Sequence, residues 1–497
     1  MEALEGLLYG MGVLFTPTTL LGAFIGVLIG TAVGVLPGLG PVAGAALIFP
    51  LTFTLDPLTG LVMIAGIYSG AMYGGSTASI LMKVPGDTAA VVATFDGYEM
   101  TRRGRAGAAL SITAVGSFIA GTIAVVLVTF FSVYLAKFGL LFGPPEFFAL
   151  TAGSLLVFAR ITGGSLASGM FPLVIGLMLG TVGQEAVTGD FRFTFGVMEL
   201  SQGLALTPVA VGLFGVAEVL ILTESARSSK KVSAIRVREM FPTREEWSRA
   251  IAPWGRGSIV GFVLGLLPGP SGTLSTFASY RLEKAVSRNR HQLGRGAVEG
   301  VAGPEAANNA ASTSSLVPVL SLGIPFSATL ALMLAAMIVQ GVQPGPLLVE
   351  ERPDLFWGIV ASMYVGNIML LILNLPLVGL WVNLLRTPQY FLVLVILVLS
   401  VVGAFSVRNS MLDVFSLLVF GLVGYALRKL DFSLAPLILG LVLGPLIESY
   451  FRESLFLGKG DVGVFVSSPV AVGLWVSVGA ILVGGFVVPR IIRARRS

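Results

Sequence analysis

No cysteine occurs among the 497 residues, and histidine occurs once, at His291. The first absence excludes disulfides, thiolate metal sites, iron–sulfur clusters and cysteine nucleophiles. The second leaves nothing from which to build a multi-histidine zinc centre or a Ser-His-Asp triad, so the chain does not read as an enzyme. Charge is scarce as well: Asp, Glu, Lys and Arg make up 11% of the chain, against about a quarter in a typical soluble protein. Hydrophobic residues supply 55% and the mean hydropathy is +0.91. This is the composition of an integral membrane protein, with the lipid bilayer as its solvent. Basic residues are missing from the start, where Lys83 is the first. A cleavable signal peptide needs a basic start, so the first apolar stretch is expected to be retained, with the N-terminus outside the cytoplasm.

Where basic residues do occur, they cluster between apolar spans. The stretch Glu224 to Arg256 holds Arg227, Lys230, Lys231, Arg236, Arg238, Arg244, Arg249 and Arg256. The positive-inside rule makes it a cytoplasmic linker, residues 225–254, between halves 1–224 and 255–497. The net charge of +5 thus reports topology, and no nucleic-acid partner is implied.

Glycine is over-represented, 63 of 497 residues, and much of it belongs to an internal repeat. Gly26, Gly30, Gly34, Leu36, Pro37 and Gly38 recur as Gly257, Gly261, Gly265, Leu267, Pro268 and Gly269, an offset of 231. Gly75-Ser76-Thr77-Ala78-Ser79-Ile80 matches Ala311-Ser312-Thr313-Ser314-Ser315-Leu316 at 236, and Pro172 to Gly180 matches Pro436 to Gly444 at 264. The growing offset leaves room for one extra helix in the second half, placed at Met411 to Leu427.

Loop charge orients the halves. Phe53 to Pro57 has no basic residue, whereas its counterpart carries Arg281, Lys284, Arg288, Arg290 and Arg295. After the second motif the signs reverse: Arg102, Arg103 and Arg105 stand against Glu350, Glu351 and Asp354. Equivalent loops on opposite sides mean inverted-topology repeats, an architecture of secondary transporters. The expected fold is an all-α polytopic membrane protein with re-entrant hairpins and broken helices. The hairpin tips would be Pro37, Gly38 and Gly40 in one half, and Pro268, Gly269, Ser271 and Gly272 in the other. The return arm Ser271 to Tyr280 is too short to cross about 30 Å of hydrocarbon. The extra helix would leave the C-terminus in the cytoplasm.

The helix breaks are expected at the two Ser-Thr clusters, since unwound backbone at membrane depth is tolerated only around a cavity or inside protein. Ser76, Thr77 and Ser79 from one half, with Asn308, Asn309, Ser312 and Thr313 from the other, would line a substrate site. Hydroxyls, amides and half-helix ends suit a carboxylate, and freed carbonyls suit sodium. Asp87, Glu305 and Lys83 flank these clusters and are candidates for ion coupling, because intramembrane charge is costly. Gly38-Leu39-Gly40-Pro41-Val42-Ala43 fits a dinucleotide fingerprint but has no preceding strand, and its repeat partner does not preserve it.

Leu36-Pro37-Gly38-Leu39-Gly40, Tyr73 to Leu81, Pro85-Gly86 with Phe95-Asp96-Gly97, and Gly303-Pro304-Glu305-Ala306-Ala307-Asn308-Asn309-Ala310 resemble the large membrane subunit of the tripartite tricarboxylate transporters. The resemblance implies an importer of citrate or a related organic acid in the bacterial inner membrane, coupled to sodium or protons. It also implies two partners, a small membrane subunit and a periplasmic solute-binding protein, and no organic cofactor. A passive anion channel or an intramembrane enzyme is the alternative. No paired carboxylate motif favours the enzyme, and two occluding hairpins suit a channel poorly.

Overall fold

The computed structural model describes residues 2–36, 38–162, 165–185, 189–224 and 240–494, and it is almost wholly helical. Among the described residues, nine helices are long and apolar enough to cross a membrane. They are Pro17–Val35, Pro57–Met82, Ala106–Gly139, Pro144–Thr162, Leu206–Glu224, Pro353–Asn374, Tyr390–Arg408, Met411–Lys429 and Ala435–Leu457. One small hairpin pairs Gly183–Gln184 with Phe191–Arg192. The architecture is that of an all-α polytopic membrane protein.

The glycine rows act as packing faces. A side chain on Gly26, Gly30 or Gly34 would collide with the backbone of Met63, Ile67 or Ala71, so Pro17–Val35 lies almost in contact with Pro57–Met82. Gly257, Gly261 and Gly265 meet Gly303, Ala307 and Ala311 in the same way, joining Arg244–Gly265 to Glu299–Ser314. Close backbone approach of this kind maximises dispersion contact where lipid offers no hydrophobic drive. Numbers rise together along both partners, so each pair is parallel. A chain that runs parallel to itself must return between the two passes. The returns are Gly40–Thr52 and Ser271–Val286, about 20 and 24 Å long at about 1.5 Å per residue. The second continues six residues beyond the expected Tyr280, through Arg281 and Lys284.

These contacts also shift the repeat register. All three glycine contacts in the second half lie 240 residues beyond their counterparts on the facing helix, not 236. The text match of Gly75-Ser76-Thr77 to Ala311-Ser312-Thr313 is therefore one helical turn out.

The first cluster does not break its helix, whereas the second ends one: Glu299–Ser314 stops at Ser315, and Leu316–Leu322 starts from it. Tyr73 to Ser79 lies inside the continuous helix Pro57–Met82, and Gly303 to Thr313 lies inside Glu299–Ser314 despite Pro304. An unpaired backbone group in hydrocarbon costs several kcal/mol, more than the roughly 1 kcal/mol that glycine takes from a helix. The chain reverses further on, at Lys83 and Gly323, both left-handed with φ 58° and 70°. Each reversal leads through a proline, Pro85 or Pro325, to a capping side chain. Asp87 accepts from the Ala90 N–H at 2.8 Å, and Ser327 from the Leu330 N–H at 3.2 Å.

Residues 225–239 of the linker lie outside the described set, while 244–254 form the first turns of Arg244–Gly265. Thr243 and Glu246 close a capping box there, and Arg105 pairs with Glu246. Burial pushes the Glu246 carboxyl up, but the Arg105 guanidinium and the Thr243 N–H outweigh it and hold it below the usual value. Arg249 and Arg256 reach Glu299 and Glu283 at 2.8 and 2.7 Å.

Candidate functional site

The seven residues expected to line one site divide between three surroundings. Ser79 donates to the Gly75 carbonyl of its own helix at 3.0 Å, and Ser312 donates to the Asn309 carbonyl at 3.0 Å. Such local bonds are the ordinary use of hydroxyls in membrane helices. Asn309 donates to Ser117 at 2.7 Å and to the Glu305 carbonyl at 3.1 Å, which ties its helix to Ala106–Gly139. Asn309, Ser312 and Thr313 also border a cavity of about 30 Å³ shared with Ser69, Tyr73 and Asn367. That is room for about one water, and too little for an organic acid.

Ser76 and Asn308 face elsewhere. Ser76 donates to Glu305 Oε2 at 2.5 Å, a bond between the two halves, with Thr77 buried beside it. Asn308 is 0% exposed and neither amide atom has a hydrogen-bond partner. Its carbonyl oxygen lies 3.1 Å from where a Cβ on Gly272 would stand, so the side chain points at the second hairpin tip.

The loop after Lys83 completes this junction. Gly86 is wedged against Gly34 and Gly75, where any side chain would collide with backbone. The chain is thereby carried back alongside the helix it has just left. Asp87 is set next to Gly75, and Ala89 next to Gly272. Thr88 and Thr273 share a hydroxyl hydrogen bond of 2.9 Å across the halves. The structure thus gathers Ser76, Asp87, Glu305, Asn308, Ser271 and Gly272 with the threonine pair. Neither Asp87 nor Glu305 forms an ion pair among the described residues, and no group of three or more Asp, Glu or His side chains suited to a metal occurs there.

Other expected members fall outside the junction. Lys83 is exposed and lies over the Tyr98 ring at 5.5 Å. Pro37 lies outside the described residues. Gly38 of the first tip abuts the Glu218 carboxylate, which Arg428 pairs, and Leu39 joins an apolar cluster with Val219 and Ile396. Pro268 and Gly269 form the bend before Ser271, with Gly269 packed on Ile161.

Asp96, quoted within a motif above but given no role, proves to be a hub. Its buried carboxylate accepts from Tyr280 at 2.9 Å, Gly294 N at 2.9 Å, and Gly296 N and Ala297 N at 2.7 Å. Gly294 and Gly296 have φ of 85° and 88°, which aims successive N–H groups at one anion, an arrangement known as a nest. The signal in the sequence was Gly294-Arg295-Gly296, which has no apolar role.

A family described as the tripartite tricarboxylate transporter TctA family matches residues 20–439. The chain belongs to that family. As a TctA-family member it is a tricarboxylate transporter subunit, from a class of transporters and not of enzymes, which acts with partner subunits. A similar protein is an uncharacterised 52.8 kDa protein in the TAR-I ttuC' 3' region of Agrobacterium vitis. It is 45% identical over 474 residues, covering 95% of this chain and 94% of the relative. An uncharacterised protein in the TAR-II ttuC' 3' region of the same organism is 48% identical over 214 residues, 43% of this chain and 88% of its own. No solved structure matches.

Proposed function

We propose that this TctA-family chain is the ion-coupled uptake subunit for an organic acid, citrate or a related carboxylate. A periplasmic binding protein would deliver the acid, and a small membrane subunit would complete the complex in the bacterial inner membrane. The observation that carries the reading is the junction itself. Polar groups from both halves, Ser76 with Asp87 and Glu305 with Asn308, come together inside the helix bundle. A buried carboxylate without a cation is expensive unless it is protonated or holds an ion. Glu305 and Asp87 are accordingly where sodium or a proton would enter the cycle.

Inverted repeats are part of this proposal, and the reversal of charge between equivalent loops supports them. The last helices add a reciprocal contact between Leu166–Gly180 and Ala435–Leu457 in which numbers rise together, so this equivalent pair runs parallel, as one inserted helix requires. Gly176 abuts Leu437 while Gly440 abuts Leu173, and Gly180 abuts Leu441 while Gly444 abuts Leu177. Gly153 against Val478 has its mirror in Gly421 against Val216. That pairing matches Met411–Lys429 to Pro144–Thr162 and favours Tyr390–Arg408 as the inserted helix, in place of the 411–427 segment. In such a fold, access alternates as the hairpins and the helices they pack on move against the rest of the bundle. An elevator-like displacement is the form proposed, with the N-terminus periplasmic and the C-terminus cytoplasmic.

The test is uptake of labelled citrate, tartrate and malonate into proteoliposomes holding the complex, with imposed sodium or proton gradients. Saturable, gradient-driven uptake that requires the binding protein is the expected result. Gradient-independent, non-saturating flux would establish a channel and overturn the proposal.

A further inference from the structure

We propose that the N-terminus of helix Ser271–Val286, with the Asn308 amide and the Thr88–Thr273 hydroxyl pair, is the seat for a single carboxylate group of the transported acid. The inference rests on the transporter reading above and adds the atoms that would hold the anion.

Three independent features meet at this point. The first is a helix start without a cap. Pro270 precedes the helix and supplies no side-chain bond, and the first-turn N–H groups have no acceptor inside a helix. Ser271 N is turned back to the Gly269 carbonyl at 2.8 Å and Leu274 N bonds the Pro270 carbonyl at 2.9 Å, which leaves the Gly272 and Thr273 N–H groups without a backbone acceptor. A 16-residue helix adds the positive end of its dipole, about half an elementary charge.

The second is Asn308, fully buried with both amide atoms unpartnered and aimed at Gly272. A buried amide that bonds to nothing destabilises the fold, so a partner from outside the chain is its natural complement. An amide can turn its NH₂ toward an anion without bringing charge of its own. The third is access. Thr88 is exposed and Asp87 only half-buried, while Gly272 contributes no side chain to block the approach.

The charge balance selects the ligand class. Lys83 is turned out to Tyr98, and no ion pair reaches Asp87 or Glu305 among the described residues. Half a charge of dipole and neutral donors suit one carboxylate of charge minus one. The remaining carboxyl groups of a di- or tricarboxylate would project toward Thr88 and the opening.

The experiment measures citrate and inorganic phosphate binding by titration calorimetry on the full chain in detergent, together with citrate KM in proteoliposomes. Asn308→Ala is expected to weaken citrate at least tenfold, and Asn308→Asp at least a hundredfold, because a like charge then faces the carboxylate. Size-exclusion profiles are expected to stay at wild type for both. Thr273→Val is expected to raise KM severalfold with Vmax retained, and Ser406→Ala, on an exposed helix face, to change nothing. Wild-type citrate affinity in both Asn308 variants, with uptake intact, overturns the seat and leaves the transporter reading standing. Phosphate binding as tight as citrate overturns the carboxylate assignment. A wild-type chain that neither binds nor takes up any of citrate, tartrate or malonate overturns the functional reading, and the seat with it.

Discussion

Glu305 and Asp96 are both buried carboxylates, yet their surroundings give them opposite duties. Asp96 accepts four donors, three of them backbone N–H groups of the 294–297 turn. It binds the 294–297 turn onto the helix Ala93–Arg102. Asp96→Ala would strand those donors, at about 1–3 kcal/mol for an unsatisfied buried group. A fall of several degrees in the thermal midpoint of the detergent-purified protein is expected, with transport lost in parallel. Glu305 has a single side-chain bond, from Ser76. Glu305→Gln keeps that acceptor and the volume while removing the ionisable group. Folding is expected to be unchanged, and gradient-driven uptake to fall more than tenfold while counterflow exchange of substrate persists; equal losses of both would contradict a coupling role. Ser79→Ala should leave uptake within twofold of wild type, since that hydroxyl serves its own helix. The duties of these residues were not readable from the sequence, which placed Ser76 and Ser79 in one site and gave Asp96 no role. What separates them is which face of the helix each occupies and what stands opposite.

At the scale of elements, the glycine rows were legible because a spacing of four repeats on one helical face whatever the tertiary context. Their role as close-packed seams follows from that spacing. Gly30→Val would drive a branched side chain into the Ile67 backbone and is expected to cost about 1–3 kcal/mol by overpacking. Gly12→Ala, in open space, should be neutral in the same thermal assay. The break in the second cluster, at Ser315, was legible; that of the first was not. Glycine, serine and threonine in Tyr73 to Ser79 read as a weak helix, yet neighbouring helices exclude water from this segment. Without water as a partner, the backbone keeps its own hydrogen bonds. The break moves on to Lys83, where a left-handed residue and Pro85 leave no helical alternative.

For the whole molecule, the charge asymmetry between equivalent loops makes a direct prediction. Single cysteines introduced at Thr54 and at Asn289 should label from opposite sides of the membrane with an impermeant maleimide. Labelling from the same side would refute the inverted repeat. The Arg105–Glu246 pair ties the first half to the helix that opens the second. The folded Glu246 carboxyl is held below its ordinary value, so the pair contributes fully above the unfolded value of about 4.3. Its contribution fades as pH falls through the lower folded value. Glu246→Gln should flatten acid destabilisation measured between pH 6 and 3, and an unchanged profile would refute the linkage.

Membrane residence and the glycine seams were determined by the sequence alone, since composition and spacing act locally and need no partner. The tertiary structure alone decided which polar residues meet. Asn308 and Asn309 are adjacent in the chain, yet one faces a hairpin tip and the other Ser117, because successive residues on a helix point about 100° apart. The junction therefore depends on how two halves some 230 residues apart are rotated against each other, and that rotation is a property of packing, which no local pattern encodes.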